Sequence, residues 1–434
     1  MGAYLSAPKT NKDSANGEGG SHSWGYSEMQ GWRTEMEDAH IAISNLGGSN
    51  EGVAMFGVYD GHGGCEVAKF VENHLPKEMT KCVVSDPTVG GEMLVKGYHK
   101  MDELLRLPEC EPELARYRRE GSTNGEDGKS RVASLLQSSI EQDLAELRDR
   151  GSNLSRQDTA PVMMKMFVLK KLEAQAAAAA GNRSNSGNSP THRNPSGDLA
   201  GADDGSSPSG NSSTEGRAAL FGPSGGVLNV GCTAVTALLT KTHIIVANAG
   251  DSRAILCRGG QAVELSHDHK PNSETERSRI EAAGGYVEEI TLTSKTQYRV
   301  NGNLNLSRAI GDHEYKKRDD LKPEQQIICS TPDILMEKLT PADEFFVLAC
   351  DGVWDVMSNE DVVKFIRPRI EKGEKKLSEI VEELLDHCIA DDPKLTEGLG
   401  GDNMTCILVK LDHDGASSTC ASRQQPQPQP IERY

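Results

Sequence analysis

Apolar and polar residues alternate along this chain with two periods, one typical of strands and one typical of helices. Dense runs of β-branched and other apolar residues predict strands at 53–59, 233–239, 243–249, 254–257, 262–265, 345–349 and 404–411. Apolar residues spaced three or four apart predict helices at 65–75, 93–107, 272–283, 358–371 and 377–389. Strands punctuated by helix pairs predict an α+β fold in which two packed antiparallel β-sheets are flanked by helices, an α-β-β-α sandwich.

Three segments follow neither period and mark the limits of the folded domain. Residues 1–22 are polar and rich in Gly, Ser and Asn, which predicts a flexible N-terminal lead. An insert at about 110–226 is highly charged at first, and its second part, 181–226, has too few apolar residues to offset the entropy of ordering, so that part is predicted to be disordered. The tail 413–434 contains QQPQPQP and is predicted to be disordered as well. The folded domain is therefore expected at 23–412, around the insert.

The charge and the cysteines narrow the range of partners and compartments. The formal charge is −18 and the longest basic stretch is KKR at 316–318, so the chain lacks the Lys/Arg footprint that nucleic acid requires. Ten cysteines occur without CxxC or zinc-like spacing, which indicates reduced thiols in the cytoplasm or nucleus. No apolar run approaches the ~20 residues that span a bilayer.

The first residues carry a pattern for lipid modification. MGAYLS fits the N-myristoylation pattern, with Gly2 exposed after removal of Met1. A single myristoyl chain anchors a protein only marginally, so the pattern predicts weak and reversible membrane association.

Four aspartates adjoin the predicted strands. Asp60, Asp251 and Asp351 each come directly after an apolar run, and Asp402 lies just before one. Carboxylate oxygens are preferred ligands of Mg²⁺ and Mn²⁺, and two such ions about 3.5–4 Å apart can clamp a phosphate and activate water. A single Asp-Gly after a strand is usually only a turn, but four acidic turns favour a two-metal phosphatase.

Two neighbouring segments supply the other groups that a phosphate hydrolase needs. The first, RTEMED at 33–38, contains an arginine whose planar fork suits phosphate and carboxylates that suit a metal. The second, DGHGG at 60–64, contains His62, which can protonate a departing oxygen, while the glycines let the backbone bring the Gly61 carbonyl to an ion.

The chain resembles the metal-dependent protein serine/threonine phosphatases of type 2C. The motifs that carry the resemblance are GWRTEMEDAH, VYDGHGG, GCTAVTALL, IIVANAGDSRAIL, DHKP, RVNGNLNLSRAIGD, FVLACDGVWDVMS and GDNMTCILV. The resemblance runs from Gly25 to Lys410 apart from the insert. The opening MGAYLSAPKT and the insert before GCTAV are most similar to the gamma isoform and to similar plant enzymes. The insert lacks the acidic box of the gamma isoform, so partners recognised through such a box are not expected.

The resemblance implies roles for residues at matching positions. Metal contacts are implied for Asp60, which would bridge two ions, and for Glu37, the Gly61 carbonyl, Asp351 and Asp402. A weaker third ion is implied beside Asp251, with help from Asp351. Catalytic roles are implied for Arg33 on the substrate phosphate, His62 as general acid and Asp38 in orienting water. Supporting roles are implied for Asn403, Thr233 and Asp355.

The implied reaction is hydrolysis of phosphoserine and phosphothreonine in proteins by a water that two Mg²⁺ or Mn²⁺ ions activate, without a phosphoenzyme. The implied partners are phosphorylated proteins, and the implied state is a monomer. Two other interpretations stay open: an inactive relative that serves as a binding scaffold, and a two-metal hydrolase of small phosphomonoesters. A cysteine phosphatase is not expected, because the loop between Cys110 and Arg116 is acidic and would repel a phosphate dianion.

Overall fold

The computed structural model describes residues 4–121, 229–291 and 296–412. Its contacts divide the chain into two units, Met1–Tyr117 with Leu220–Tyr434, and Arg118–Ala219. The predicted disordered part of the insert, the tail 413–434 and Gly2 lie outside the described residues. The first unit contains almost every described residue.

The strands and helices of the described residues are numbered in chain order. The strands are β1 (Tyr4–Glu18), β2 (His22–Arg33), β3 (Ala39–Ile43), β4 (Ala54–Tyr59), β5 (Gly61–His62), β6 (Gly231–Cys232), β7 (Ala234–Leu239), β8 (His243–Ala249), β9 (Arg253–Arg258), β10 (Gln261–Glu264), β11 (Val287–Thr291), β12 (Thr296–Val300), β13 (Ile310–Gly311), β14 (Asp333–Lys338), β15 (Asp343–Ala349) and β16 (Met404–Leu411). The α-helices are α1 (Glu66–Met79), α2 (Pro87–Leu104), α3 (Glu111–Gly121), α4 (Glu274–Ala282), α5 (Asp351–Trp354), α6 (Asn359–Lys372) and α7 (Leu377–Cys388). Short 3-10 turns lie at Pro108–Cys110, His313–Tyr315 and Pro323–Gln325.

Two large sheets form the centre of the fold. One has six strands in the order β1-β2-β16-β15-β9-β10, and the other has five in the order β14-β8-β7-β4-β3. A small sheet β13-β6-β5 and a hairpin β11-β12 complete the described strands, and the pairings between these strands are antiparallel.

The alternation of side chains along the strands builds three apolar layers. Phe56 of β4 and Phe346 of β15 meet between the two sheets, with ring centroids 5.8 Å apart in an edge-to-face arrangement. Met55 of β4 points to the other side, into a cluster with α1 and α2. Val347 of β15 points away from its partner sheet, into a cluster with α6 and α7. The predicted α-β-β-α sandwich is confirmed, because each sheet buries one face against the other sheet and one against helices.

The N-terminal segment differs from the prediction of a flexible lead over 1–22. Tyr4–Glu18 forms β1, the edge strand of the six-stranded sheet, and pairs with β2. Its polar side chains have partners: the Ser14 hydroxyl lies 3.0 Å from that of Ser27, and Asn16 Nδ2 donates to Ser378 Oγ over 2.7 Å. An edge strand held by backbone pairing and polar contacts has no apolar period, so its sequence is that of a loop.

The beginning of the insert differs as well. The predicted boundary at about 110 falls just before α3, and α3 buries Leu114 and Tyr117 in the same cluster as α1 and α2. These two apolar residues are three positions apart, the spacing that places them on one face of a helix. The high charge of the neighbouring residues conceals this short apolar stripe. The ordered part of the domain therefore extends past residue 110.

Two further predictions concern compartments and membranes. The cysteines of the described ranges are free thiols, most of them buried. Among those ranges, none of the helices combines the length and the apolar composition needed to cross a bilayer.

Candidate active site

The four predicted aspartates lie where the central strands of the two large sheets end or begin. Asp60 follows β4 and Asp251 follows β8 in one sheet, whereas Asp351 follows β15 and Asp402 precedes β16 in the other. Asp60 experiences the charges of all three other aspartates as well as that of Asp38. The structure thus brings together, in one cleft between the sheets, residues that are up to 342 positions apart in the chain.

The carboxylates of this cleft are held close together against their mutual repulsion. Burial raises the pKa of Asp60 and of Asp351 well above the ordinary value, and neighbouring aspartates raise both further. Burial also raises the pKa of Asp402, although Arg33 opposes that change. Such a cluster of charged oxygens is poorly compensated by the chain itself, and it matches the ligand preference of Mg²⁺ and Mn²⁺. The donor set therefore fits hard divalent cations.

Asp38 is buried beside Asp60 in the acidic centre. Its side chain accepts a hydrogen bond from Thr405 Oγ1 over 2.7 Å, while its other oxygen, Oδ1, is buried and has no hydrogen-bond partner within the described residues. Burial raises the pKa of Asp38 to about 7. Carboxylate oxygens of Asp38 and Asp60 lie within 4.8 Å of each other and of the Cys350 sulfur.

Asn403 fixes the segment that contains Arg33, Glu37 and Asp38 to the beginning of β16. Its Nδ2 donates to the carbonyl oxygen of Gln30 over 2.7 Å and to that of Glu35 over 3.1 Å. Its Oδ1 accepts from the backbone N–H of Glu37 over 3.0 Å. The Glu37 carboxyl is largely shielded from bulk water, and this burial raises its pKa to about 7. Asn403 thus holds the segment that contains Arg33 and Glu37 next to Asp402.

Arg33 lies at the end of β2 and at the edge of the acidic centre. Its Nη2 donates to Asp402 Oδ2 over 2.5 Å, and its side chain remains 38% exposed. Burial acts against its charge, but the carboxylates of Asp402, Asp60 and Asp351 raise the pKa of Arg33. The guanidinium is therefore fixed beside the carboxylates and still accessible to a ligand from solvent.

His62 is paired with a residue that the sequence interpretation did not assign. Its Nε2 lies 2.7 Å from Oδ2 of Asp312, whose side chain is 1% exposed. Burial disfavours the imidazolium, but the Asp312 carboxylate raises the pKa of His62 above its ordinary value. Asp312 ends the SRAIGD motif and has a φ of +49°, an unusual conformation for a residue other than glycine. Nothing in that motif pointed to His62 as its partner.

Two glycines leave room for this arrangement. An added Cβ at Gly61 would lie 2.2 Å from the Glu37 carbonyl oxygen, and one at Gly231 would lie 2.5 Å from Asp312 Oδ2. The glycines of DGHGG were expected to let the backbone approach an ion. At Gly61 the close approach is to the backbone of the neighbouring acidic segment.

Two of the predicted supporting residues, Thr233 and Asp355, lie beside the central aspartates. The Thr233 N–H donates to the Asp60 carbonyl over 2.9 Å, and its hydroxyl accepts from the Asp60 N–H over 3.3 Å. The Asp355 N–H donates to the Asp351 carbonyl over 2.8 Å. Both residues contact the backbone of a central aspartate.

The Asp251 carboxylate is buried, with 2% of its side chain exposed, and accepts a hydrogen bond from Lys270 Nζ over 2.6 Å. Lys270 belongs to the DHKP motif, but it was not among the predicted site residues, and neither was Cys350. The site residues predicted from the sequence, apart from Gly2, thus lie around one cleft. The structure adds three neighbours to them: Asp312, Lys270 and Cys350.

Comparisons with known proteins agree on one family. A family model described as Protein phosphatase 2C matches residues 23–139 and 178–394. The relatives include "Probable protein phosphatase 2C 11" of Oryza sativa subsp. japonica, 37% identical over 95% of this chain and 91% of the relative. "Protein phosphatase ppm-1.G" of Caenorhabditis elegans is 32% identical over 95% of this chain and 99% of the relative.

A solved structure supports the fold. The crystal structure of a phosphatase from a pathogenic strain of Toxoplasma gondii has a TM-score of 0.54 to this chain and covers 93% of this chain and 96% of its own. The two sequences are 19% identical, so this likeness concerns the architecture alone.

Proposed function

Because the chain belongs to the protein phosphatase 2C family of metal-dependent protein serine/threonine phosphatases, we propose that the cleft around Asp60 is its catalytic site. The observation that carries the proposal is the convergence of four aspartates beside one partly exposed arginine. The aspartates suit divalent cations, and the arginine suits a phosphate group.

The residues that would hold the cations are those that the family resemblance implies. They are Asp60, Glu37, the Gly61 carbonyl, Asp351 and Asp402. When bound, two Mg²⁺ or Mn²⁺ ions supply a lowered pKa for water and compensate negative charge on phosphoryl oxygens. Support comes from the raised pKa values of the carboxylates, which indicate a centre that lacks positive charge.

Arg33 holds the phosphate of the substrate in this proposal. The hydrogen bond to Asp402 uses Nη2, and the planar guanidinium carries further donors for the phosphoryl oxygens. A fork fixed at one end loses little further rotational freedom when it binds the substrate. Arg33 therefore orients the phosphorus atom and stabilises charge on its oxygens.

Asp38 and His62 handle the protons. Asp38 accepts a hydrogen bond from the attacking water through Oδ1, which is buried and has no hydrogen-bond partner in the described part of the chain. His62 gives the proton of Nδ1 to the departing seryl or threonyl oxygen, while Asp312 fixes the ring through Nε2. The serine or threonine alkoxide is a poor leaving group, so this proton transfer lowers the barrier for protein substrates in particular.

The test is phosphate release from a phosphothreonine peptide as a function of Mn²⁺ or Mg²⁺ concentration. We expect release that depends on the metal, is abolished by a chelator, and is abolished in Asp60→Asn. The matched control is Asp320→Asn, which removes the same charge from an exposed loop outside the cleft. Folded wild-type protein that releases no phosphate at any metal concentration would contradict the proposal and favour a binding scaffold.

We also propose that Gly2 is N-myristoylated and that the modified chain associates reversibly with membranes. The support is the MGAYLS pattern of the sequence. Co-expression with an N-myristoyltransferase should add one myristoyl mass to the wild type and none to Gly2→Ala. Sedimentation with phospholipid vesicles then compares the two forms, and an unmodified wild type would refute the proposal.

A further inference from the structure

Lys270 is held against the buried carboxylate of Asp251 by the backbone around it. The His269 N–H donates to the Gly250 carbonyl over 2.9 Å, and the Gly250 N–H donates to His269 Nδ1 over 3.2 Å. These contacts fix the segment before Lys270 to the turn that contains Asp251. Lys270 Nζ then reaches Asp251 Oδ2 over 2.6 Å, while 36% of the Lys270 side chain stays exposed.

The position of this ammonium group is unusual because it faces several carboxylates of the proposed catalytic cleft. Burial disfavours its charge, but Asp251, Asp351 and Asp355 together raise the pKa of Lys270. A lysine ammonium is a compact cation on a flexible stem of four carbons. In the chain alone, Lys270 thus supplies positive charge to the side of the centre where Asp251 lies.

We propose that the Lys270 ammonium is a tethered cation that occupies the Asp251 carboxylate and competes with a weakly bound additional divalent cation for it. This inference rests on the proposed function, since it concerns the same acidic centre. An additional ion reaches the Asp251 oxygen only when Lys270 swings towards solvent, and the exposed part of its side chain gives it room to do so. Lys270 would then set the metal concentration at which the additional ion binds.

A salt bridge with only a structural role would behave differently. The turn at Gly250 is fastened to His269 by two hydrogen bonds that do not involve the Lys270 side chain. A structural salt bridge would affect stability when removed, and it would leave the metal affinity unchanged. Metal binding is therefore the measurement that separates the two roles.

The experiment is calorimetric titration of the full metal-free chain with Mn²⁺, comparing the wild type with Lys270→Gln. The ammonium lies 2.6 Å from the Asp251 oxygen and competes with a divalent cation for the same charge, so its removal should tighten the weak class of sites about tenfold or more. The tight class should change little. The matched control is Lys96→Gln, which removes the same charge from an exposed position in α2 and should behave as the wild type.

Each outcome decides between the two roles of Lys270. Equal affinity of the weak class in the wild type and Lys270→Gln overturns the inference about Lys270 but leaves the proposed metal centre intact. Absence of any Mn²⁺ binding by the folded wild type overturns both. Tightening confined to the weak class of Lys270→Gln supports the inference.

A second measurement does not depend on the folding of Lys270→Gln. The lysine side chains of the wild type are labelled at Cε and followed by NMR during titration with diamagnetic Mg²⁺, and the Lys270 signal is assigned with Lys270→Arg. We expect the Lys270 signal to shift in the concentration range of the weak class, as the ammonium leaves Asp251. A signal that is unchanged through both classes overturns the inference.

Discussion

The pH dependence of stability in the metal-free chain gives a quantitative test of the acidic centre. Burial raises the pKa of Asp38 to about 7, from an ordinary value of 3.8. Between these values the folded chain keeps a proton on Asp38 that the unfolded chain has released. The free energy of unfolding therefore falls as the pH rises through this window. The stabilisation is complete below pH 3.8 and is lost above pH 7.

The size of the effect depends on the width of the window. One pKa unit corresponds to 1.36 kcal/mol, so the rise from pH 5 to pH 7 should cost the folded chain about 2–3 kcal/mol through Asp38 alone. Asparagine has nearly the same shape, can accept the hydrogen bond from Thr405 and does not ionise. Asp38→Asn should therefore lack this part of the pH dependence and should be the more stable form at pH 7 in a chelator.

The assay is urea unfolding in a chelator at pH 5, 6 and 7, with the wild type and Asp38→Asn measured side by side. The difference between their free energies of unfolding should change by about 2–3 kcal/mol in favour of the variant as the pH rises. The same variant should lose phosphatase activity, because it no longer orients water through a carboxylate. A difference that stays constant over this pH range would refute the assignment of a raised pKa to Asp38.

Three further predictions concern the catalytic groups. His62→Gln should slow hydrolysis of a phosphothreonine peptide more than hydrolysis of an aryl phosphate, whose leaving group needs no proton; equal losses would contradict the general-acid role. Gly61→Ala places a Cβ about 2.2 Å from the Glu37 carbonyl oxygen, so Mn²⁺ affinity measured by calorimetry should fall. The control is Gly20→Ala, at a position with open space around it, which should bind Mn²⁺ as the wild type does. Arg33→Lys should lower kcat/KM for the phosphopeptide by about 10- to 100-fold, because a lysine lacks the planar fork and a hydrogen bond to a charged group is worth roughly 1.5–3 kcal/mol. An unchanged kcat/KM would exclude Arg33 from phosphate binding.

The central strands could be predicted because they are buried on both faces. β4, β7, β8, β15 and β16 are mostly apolar, and their observed bounds differ from the predicted ones by at most two residues at either end. Each is covered by helices on one side and by the other sheet on the second side, so polar residues are excluded from nearly every position. The aspartates at their ends mark where the buried part of the chain stops.

The outer strands could not be predicted in the same way. β2 has the sequence HSWGYSEMQGWR, and its buried and half-buried positions accept serine, glutamine and glutamate. β1, at the edge beside it, has no apolar period at all. Such strands are stabilised by pairing with a neighbour that is already in place, and a single sequence does not display its pairing partners.

The site shows the same division between local and long-range information. Asp60 and Asp351 could be predicted because each follows its own apolar run. Asp312 could not, because its partner His62 is 250 positions away in the chain. Lys270 could not, because its role depends on a turn formed by a different strand.

The free-energy cost of keeping these carboxylates charged and close together arises from their burial and from the hydrogen bonds that fix their positions. The net charge of −18 is not its main cause. Burial is the largest cause of the raised pKa values of Asp38, Asp60 and Asp351, and it acts on each carboxylate where it lies. The carboxylates cannot move apart freely, since Asn403 fastens the segment from Gln30 to Glu37 to the beginning of β16. Dissolved salt screens buried charges much less than exposed ones, so monovalent salt cannot relieve this repulsion. The rigid contacts that make the centre unfavourable in the chain alone are thus the same contacts that hold its oxygens ready for a divalent cation.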